Sequence, residues 1–383
     1  MTEWIDRDTV LTLLGVKPQT LYAYVSRKLI TALPDPADPR RSLYSRSDAS
    51  RILERRGRGR RAVEVAEGAI SWGDAVLATS ISTVVGGRLF YRGRDAAVLA
   101  RTATLEEAAA LLWGISAFPA PRASLPFDRT LPPVEAAMAM LARAACGHDP
   151  VSGRAAASLI EESAMLVRSV AAALGADLAD EGDIAGGLAK SWNADPAGAE
   201  AIRAALVLMA DHELNASAFA ARVTASTGAP LAAAALSGLA TLLGPIHGAA
   251  TRRTRSLIED ASAKGARRTV RERLAHGDAL PGFGQQLYPD FDPRAAVLLD
   301  NLRLPPLLVE LAEEGFAATG LKPNIDFATA AVAMVHALPN DAPFLIFATA
   351  RMVGWLAHAM EQIATGRLIR PRARYVGPAV EIG

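Results

Sequence analysis

Most of the chain, from residue 62 onwards, carries apolar residues at the i, i+3 and i+4 spacing of helices that bury one face. Thr104 and Glu107 predict a capping box ahead of the apolar run AAALLWG, and Gly114 predicts the end of that helix. Among the remaining segments, 86–95 favours a short β-ribbon. The pattern therefore predicts an all-α fold for this part of the chain.

The first 61 residues follow a different pattern. Apolar residues up to Leu14 lie in a short predicted helix that ends at Gly15, and Pro18 is placed to begin a second helix. Two short helices joined by a glycine-containing turn are typical of a helix-turn-helix. After a proline-rich turn, Ser47 is predicted to cap a third helix.

Charge separates the same two regions. Residues 1–61 contain 13 Lys/Arg and 7 Asp/Glu, a net charge of +6, whereas the rest contains 28 and 33, a net charge of −5. A basic head on a mildly acidic body indicates an anionic partner for the head. The candidate contacts to phosphates or base edges are Lys17, Gln19, Thr20, Arg27, Arg40 and Arg41.

The segment 3–56 resembles the DNA-binding head of MerR-like regulators, and the glycine-broken run RRGRGRR (55–61) is the predicted linker. The alternative is a small helical packing module with no DNA contact. The predicted domains are therefore a helix-turn-helix head with its basic linker (1–61) and a helical domain (62–383).

Composition narrows the class of protein. The 383 residues are 51% hydrophobic and 21% charged, which is globular, and only 5% aromatic, which makes an all-β sandwich unlikely. The single cysteine, Cys146, excludes a disulfide framework and a cysteine-based zinc site, and no metal is expected.

The longest uncharged stretch, 223–251, is long enough to span a bilayer. Pro230, Pro245 and four glycines interrupt it, and its apolar residues are mostly alanine. We therefore expect it to form buried core. With no charged-then-apolar leader at the start, we expect a soluble, cytoplasmic protein without a membrane partner.

Arg351 is the single formal charge between Ala342 and Met360, and on a helix it shares a face with Phe347, Trp355 and His358. A buried guanidinium without a partner costs several kcal/mol, about 3–5 when a partner is removed. We expect it to meet either an internal carboxylate or an anionic ligand.

Two histidines and one aspartate also stand in suggestive settings. His212 is predicted at the inward end of a helix that begins at Asp195, as a core residue or a ligand. His247 lies in a turn rich in glycine and proline, which lets backbone approach closely. Asp326 has apolar neighbours, which raise a carboxyl pKa towards that of a useful base.

Seven motifs in order, namely DHELNAS, GPIHGAA, PGFG, DPRA, KPNIDF, ARMVGWLAH and IRPRARYVG, together resemble the citrate synthase family from about residue 62 to 383. The resemblance implies a large helical domain, a small one inserted at roughly 250–340, and a cleft that closes on substrate. It also implies a homodimer whose active site is completed across the interface. No cofactor is implied, because the CoA thioester is a substrate.

By this resemblance, acetyl-CoA and oxaloacetate condense in a Claisen-type reaction and the thioester is then hydrolysed. Asp326 matches the base that removes the methyl proton, and His247 matches the hydrogen-bond donor to the enolate oxygen. Oxaloacetate would be bound by His212, Arg294, Arg351 and, from the partner subunit, Arg370. Coenzyme A would contact Gly282, Phe283, Gly284 and Lys322.

One position departs from the family pattern. Where relatives have a histidine that polarises and protonates the oxaloacetate carbonyl, this chain has Gln285, the third of its catalytic candidates. An amide can donate a hydrogen bond but cannot transfer a proton, and losing general-acid help typically costs about 10²–10⁴-fold.

Three functions remain open at this point. The first is a citrate synthase-like C-acyltransferase of the tricarboxylic acid cycle, impaired by Gln285. The second is a DNA-binding regulator with a citrate synthase-like ligand-sensing domain. The third is a synthase for another acyl-CoA or 2-oxo acid, such as 2-methylcitrate synthase.

Overall fold

The computed structural model describes residues 4–27, 29–36, 38, 41–52, 77–120, 124–179, 182–373 and 375–378. It divides the chain into two compact units, Met1–Ala78 and Thr79–Gly383. Arg40, the predicted linker 55–61 and the predicted domain boundary at 61/62 lie outside the described residues.

The first unit combines short helices with a three-stranded antiparallel sheet of order β1-β3-β2. Its elements are β1 (Trp4–Ile5), α1 (Arg7–Leu14), α2 (Pro18–Ser26), β2 (Ala32–Pro34), β3 (Ser42–Ser45) and α3 (46–52). The Asp6 side chain caps α1, Gly15 ends it in the left-handed region (φ +59°), and Pro18 occupies the first turn of α2. These bounds agree with the predicted end of α1 and the predicted start of α2.

Val10, Leu14 and Leu21 pack with Tyr44 in the small core of this unit. One local prediction is wrong: α3 begins at residue 46, so Ser47 is inside it. The capping hydrogen bond from the Asp48 amide goes to the hydroxyl of Ser45, at 3.3 Å, rather than to that of Ser47.

The second unit is almost entirely helical, with one small antiparallel sheet of order β4-β5-β6 where the ribbon is predicted. Its strands are β4 (Ser82–Val85), β5 (Arg88–Tyr91) and β6 (Arg94–Asp95). Its helices are α4 (Ala96–Leu99), α5 (Leu105–Trp113), α6 (Pro133–Gly147), α7 (Ala156–Ala173), α8 (Ile184–Ser191), α9 (Pro196–Met209), α10 (Ala216–Ser226), α11 (Leu231–Leu242), α12 (Ala250–Lys264), α13 (Ala266–Ala275), α14 (Pro293–Asp300), α15 (Pro306–Thr319), α16 (Ile325–Val335) and α17 (Ala342–Thr365).

The main core of this unit surrounds α17, which packs against α5, α7, α9, α10 and α11. By length and composition α17 could cross a membrane, but 94% of its most apolar window is buried inside the protein. That burial is typical of the central helix of a soluble protein. The uncharged stretch 223–251 is likewise divided among α10, α11 and α12 and contributes to the core.

A second hydrophobic cluster lies within the range where the sequence predicts a small domain. It contains Leu257, Leu280, Phe283, Leu311 and Phe327, drawn mainly from α12, α15, α16 and the segment before α14. The active-site candidates lie on elements that border these two cores.

Candidate active site

Arg351 lies in the middle of α17 and is 1% exposed. Its Nε donates to the Met209 carbonyl at 2.9 Å, and its guanidinium lies 4.7 Å from the centre of the Phe347 ring. Burial lowers the pKa of Arg351 to about 10, an effect that the carboxylate of Asp211 partly offsets. Within the described residues no carboxylate lies within 4 Å of this guanidinium, so an anionic ligand is the better of its two expected partners.

Arg294, in the first turn of α14, is also buried but has an internal partner. Its Nε and Nη2 donate to the two carboxylate oxygens of Asp292 at 2.9 and 2.8 Å. Asp292 also accepts the Ile325 amide at 3.1 Å, which ties α14 to the start of α16. Burial lowers the pKa of Arg294, but the Asp292 carboxylate together with Tyr288 and Tyr91 raises that pKa above its ordinary value.

His212 lies beyond α9, which ends at Met209, so its predicted place on that helix is wrong. Its Nε2 is 2.9 Å from the Tyr288 hydroxyl, and the Arg294 guanidinium lies 5.2 Å from the centre of the same Tyr288 ring. Burial, and then the charges of Arg294 and Arg351, hold the pKa of His212 well below its ordinary value. The imidazole is therefore neutral at pH 7.

His247 lies in the turn between α11 and α12, with its Nε2 2.8 Å from the Ser217 hydroxyl. The centres of the His247 and Phe347 rings are 6.0 Å apart in an edge-on arrangement, and the Arg351 guanidinium lies over the same Phe347 ring. Burial, followed by the charge of Arg351, lowers the pKa of His247 to about 4. His247 is therefore a neutral group close to a buried cation.

The glycine-rich loop is joined to the segment that carries Asp326. The Gly284 amide donates to the Lys322 carbonyl at 2.9 Å, and the Asn324 amide donates to the Gly282 carbonyl at 2.8 Å. Gly282 has φ +84°, and a Cβ there would lie 2.7 Å from Thr254 Cγ2, so both backbone conformation and space require glycine. This pairing fixes the loop against the N-terminus of α16.

Asp326 occupies the first turn of α16, whose N-cap is the Asn324 side chain. It is partly exposed, between the buried Ile325 and Phe327. Burial raises the pKa of the Asp326 carboxyl to about 6, although the charge of Arg294 opposes the shift. A carboxylate with this pKa is a stronger base than an ordinary aspartate and still ionised at pH 7.

Gln285 is partly exposed in the same loop, and its Oε1 accepts the Leu287 amide at 3.2 Å. The carbonyl oxygen of its amide is thus used within the turn, which leaves the NH₂ group as the donor available to a ligand.

The remaining predicted contacts lie further from this group. Arg370 is exposed in the segment after α17, and within the described residues no hydrogen bond or ion pair holds it. Lys322 is exposed, with its ammonium 5.7 Å from the centre of the Phe291 ring. Phe283 packs 5.5 Å from Phe327 in the second core, so its backbone rather than its side chain is available to a ligand.

Three site residues received no role from the sequence: Tyr288, Asp292 and Ser217. Ser217 and Asp292 lie inside the motifs DHELNAS and DPRA, and Tyr288 follows PGFG by four residues. Proximity to those motifs is the signal that could have found them. Together the arrangement offers a buried cation without a bound carboxylate, two neutral histidines and an aspartate with a raised pKa. That combination can hold a small anion and abstract a proton beside it. In the described part of the chain, no group of three or more His, Cys, Asp or Glu could hold a metal ion.

One family model and several known proteins match this chain. The model of the family described as "Citrate synthase, C-terminal domain" matches residues 70–372. The chain is similar to citrate synthase of Haloferax volcanii, with 38% identity over 191 residues (47% of this chain and 50% of that protein). It is also similar to 2-methylcitrate synthase of Shewanella oneidensis, with 34% identity over 183 residues (45% and 49%). The aligned region spans about half the length of these relatives.

Solved structures extend the likeness over most of the chain. Citrate synthase from Pyrobaculum aerophilum superposes with a TM-score of 0.67 and 26% identity, over 80% of this chain and 91% of that one. Citrate synthase from Thermoplasma acidophilum, solved in ternary complex with carboxymethyl coenzyme A and oxaloacetate, has the same fold, with a TM-score of 0.68 at 24% identity over 82% and 97%.

Proposed function

Since the chain belongs to the citrate synthase family, we propose that it is a C-acyltransferase that condenses acetyl-CoA with oxaloacetate to citrate and CoA. The observation that carries this proposal is Arg351, a fully buried cation with no carboxylate within 4 Å among the described residues. An anionic substrate supplies the missing counter-charge, and Asp326 and His247 supply the proton chemistry beside it. No cofactor is required, because the CoA thioester is itself a substrate.

In the proposed reaction, Asp326 takes a proton from the methyl group of acetyl-CoA, and the electron pair moves to the thioester oxygen. A neutral His247 donates a hydrogen bond to that oxygen. This step requires the tautomer with the proton on Nδ1. In that tautomer the Ser217 hydroxyl, which donates to Asn215 Oδ1 at 2.7 Å in the structure, turns to donate to Nε2 instead. The resulting enolate carbon attacks the 2-oxo carbonyl of oxaloacetate. Asp326 returns its proton to solvent, and solvent protonates the new alkoxide. Water then cleaves the thioester to release CoA.

Oxaloacetate carries two carboxylates, and we assign them to Arg294, Arg351 and His212. The Asp292 pair occupies Nε and Nη2 of Arg294, so Nη1 is the atom left for a ligand. Arg370, exposed after α17, is assigned to the active site of a second copy in a homodimer. Coenzyme A is assigned to the backbone of Gly282, Phe283 and Gly284, with Lys322 at the edge of the same loop.

At the 2-oxo carbonyl, the amide of Gln285 is proposed to donate a hydrogen bond in place of the family's histidine. This change also favours a second candidate within the same reaction class, a synthase for another acyl-CoA or 2-oxo acid. The 2-methylcitrate synthase of Shewanella oneidensis among the relatives supports that alternative. We propose a cytoplasmic location for either activity.

Thiol release from the purified protein tests the proposal. Acetyl-CoA and propanoyl-CoA are each supplied with a panel of 2-oxo acids, and free CoA is measured with a thiol reagent. We expect release that depends on both substrates and is fastest with one pair. Release without a 2-oxo acid would indicate a thioesterase. No release, together with calorimetric binding of oxaloacetate and CoA, would support the ligand-sensing alternative.

A second function, DNA binding by a MerR-like helix-turn-helix head, is favoured by the net charge of +6 on residues 1–61. Lys17, Gln19 and Arg27 are exposed at and around α2, and Thr20 is partly exposed. Arg41, in the turn between β2 and β3, is exposed although it pairs with Asp38 at 3.4 Å. A regulator would combine this head with a domain that binds the substrates and turns them over slowly.

Salt-dependent DNA binding tests this second function. We expect the logarithm of the association constant for duplex DNA to fall linearly with the logarithm of the salt concentration. The double variant Lys17→Ala/Arg27→Ala should show a shallower slope. Arg271→Ala, in the second unit, is the matched control and should leave the slope unchanged. If the full-length chain does not bind DNA at low salt, the alternative that the head is a packing module is supported.

A further inference from the structure

The second unit contains a buried polar group that the proposed reaction does not use. Asp211 and His358 are both fully buried, with Asp211 Oδ1 3.4 Å from His358 Nε2. The other carboxylate oxygen of Asp211 accepts the Ser82 hydroxyl. Within the described residues neither ring nitrogen of His358 has a hydrogen-bond partner. Buried polar groups of this kind are rarely left in place without a role.

Close backbone contact places this group directly beside the site. The Gly354 amide of α17 donates to the Ala210 carbonyl at 3.1 Å, and a Cβ on Gly354 would lie 2.3 Å from Asp211 Oδ1. The residue after Asp211 is His212, which faces Tyr288. Asp211 is therefore next in the chain to a proposed substrate contact.

Asp211 is also the main counter-charge of Arg351, and it offsets the effect of burial on the Arg351 pKa more than any other group. It exerts this effect without forming an ion pair, since its two oxygens face Ser82 and His358. The burial of both charges would otherwise favour a direct Asp211–Arg351 pair, because ion pairing is strong where water is excluded.

We propose that Ser82 and His358 restrain Asp211 as a distant counter-ion, so that Arg351 stays open to a substrate carboxylate. The inference rests on the proposed function, because it assumes that oxaloacetate is the anion bound by Arg351. His358 is thus a positioning residue that acts through Asp211. When His358 is removed, Asp211 loses the imidazole nitrogen that lies 3.4 Å from Oδ1. Its carboxylate then turns towards Arg351 and competes with oxaloacetate.

The test compares three substitutions on α17. His358→Leu removes the restraint, His358→Gln keeps an amide N–H near the position of Nε2, and Thr349→Val is a matched buried control whose hydroxyl has no partner in the described residues. For each full-length protein, calorimetry measures oxaloacetate binding, and thiol release measures KM for oxaloacetate and for acetyl-CoA.

We expect His358→Leu to weaken oxaloacetate binding and raise its KM about tenfold, which corresponds to about 1.4 kcal/mol. The KM for acetyl-CoA should change little. His358→Gln should recover most of the affinity, and Thr349→Val should behave as wild type. In the double variant His358→Leu/Asp211→Asn the competing carboxylate is gone, so oxaloacetate affinity should rise again above that of His358→Leu alone.

A lower melting temperature with unchanged oxaloacetate affinity in His358→Leu would overturn the inference, because the pair would then be structural. Equal losses for both substrates, or no recovery in the double variant, would also overturn it. If the wild-type protein binds no oxaloacetate in calorimetry, the proposed function fails instead. In that case inorganic sulfate, used as a probe anion, should still bind less tightly to His358→Leu than to wild type if the restraint on Asp211 exists.

Discussion

Asp326 is the residue whose setting most directly links stability to activity. In the proposed reaction it removes the methyl proton, so Asp326→Asn should abolish thiol release while oxaloacetate still binds in calorimetry. The matched control is Asp300→Asn, at the exposed end of α14, which should leave turnover unchanged. Loss of oxaloacetate binding together with activity would show that Asp326 shapes the site instead of acting as a base.

The same substitution should stabilise the fold above neutral pH. The folded-state pKa of Asp326 is raised to about 6, above its ordinary value of 3.8, so the ionised carboxylate costs folding free energy. The stability that protonated Asp326 contributes is complete below the unfolded pKa and is lost as pH rises through about 6. At pH 8, Asp326→Asn should therefore increase the free energy of unfolding by at most about 3 kcal/mol and raise the melting temperature. At pH 4 the two proteins should melt together, and a lower melting temperature at pH 8 would contradict the assignment.

Gln285 decides between a slow and a fast enzyme. Gln285→His would place an ionisable group where the resemblance to the family implies one, and turnover with oxaloacetate should rise by up to about 10²–10⁴-fold. The KM for oxaloacetate should change less, because the proposed contacts from the arginines account for most of the carboxylate recognition. Gln286→His, at the exposed neighbouring position, is the matched control.

If the wild type is already fast and Gln285→His gains nothing, another group protonates the carbonyl or another substrate is used. If neither protein releases thiol but both bind oxaloacetate and CoA, the ligand-sensing alternative is supported.

At the residue scale, the sequence motifs led to the arginines and histidines but assigned no role to Tyr288 and Ser217. The reason is distance along the chain. Tyr288 meets His212 from 76 residues away, and Ser217 meets His247 from 30 residues away. Hydrophobic periodicity describes one element at a time, so it cannot predict which side chains from two elements form a hydrogen bond. The residue roles themselves stay predictions until they are tested.

At the scale of elements, the contact between α11 and α17 depends on one glycine. A Cβ on Gly238 would lie 2.5 Å from Cδ2 of the Trp355 ring, and Trp355 is fully buried. Gly238→Ala should destabilise the protein by about 1–3 kcal/mol through overpacking, which exceeds the ~1 kcal/mol gained in helix propensity. Thermal unfolding measures the loss. Gly147→Ala, with nothing within 4 Å of its added Cβ, is the control and should melt at or above the wild-type temperature.

Helix ends that depend on local chemistry agree with the sequence. Thr104 and Glu107 form the capping box before α5, and Gly114 ends that helix in the left-handed region. The end of α9 differs, because distant groups decide it. The Tyr91 hydroxyl donates to the Val207 carbonyl at 3.0 Å, and the Gly354 amide donates to the Ala210 carbonyl. Because these distant groups bind the last carbonyls, the helix ends before His212.

At the scale of the whole molecule, charge and core composition both divide the chain. Val10, Leu21 and Tyr44 belong to a core of the first unit, whereas the site residues lie on elements of the second. From the change in pattern and in net charge, the sequence predicts a division at 61/62, which lies outside the described residues. The two compact units are divided later, between Ala78 and Thr79.

Removal of residues 1–61 should therefore separate the two proposed functions. The shortened chain keeps every residue matched by the family model, 70–372, together with both hydrophobic cores of the second unit. We expect it to melt cooperatively, to keep the oligomeric state of the full chain in light scattering, and to release thiol with kcat/KM within about threefold of the full chain, a difference of about 0.7 kcal/mol. DNA binding should disappear with the net charge of +6. If the shortened chain aggregates or loses turnover while the full chain shows no salt-dependent binding to DNA, the head serves to stabilise the catalytic domain.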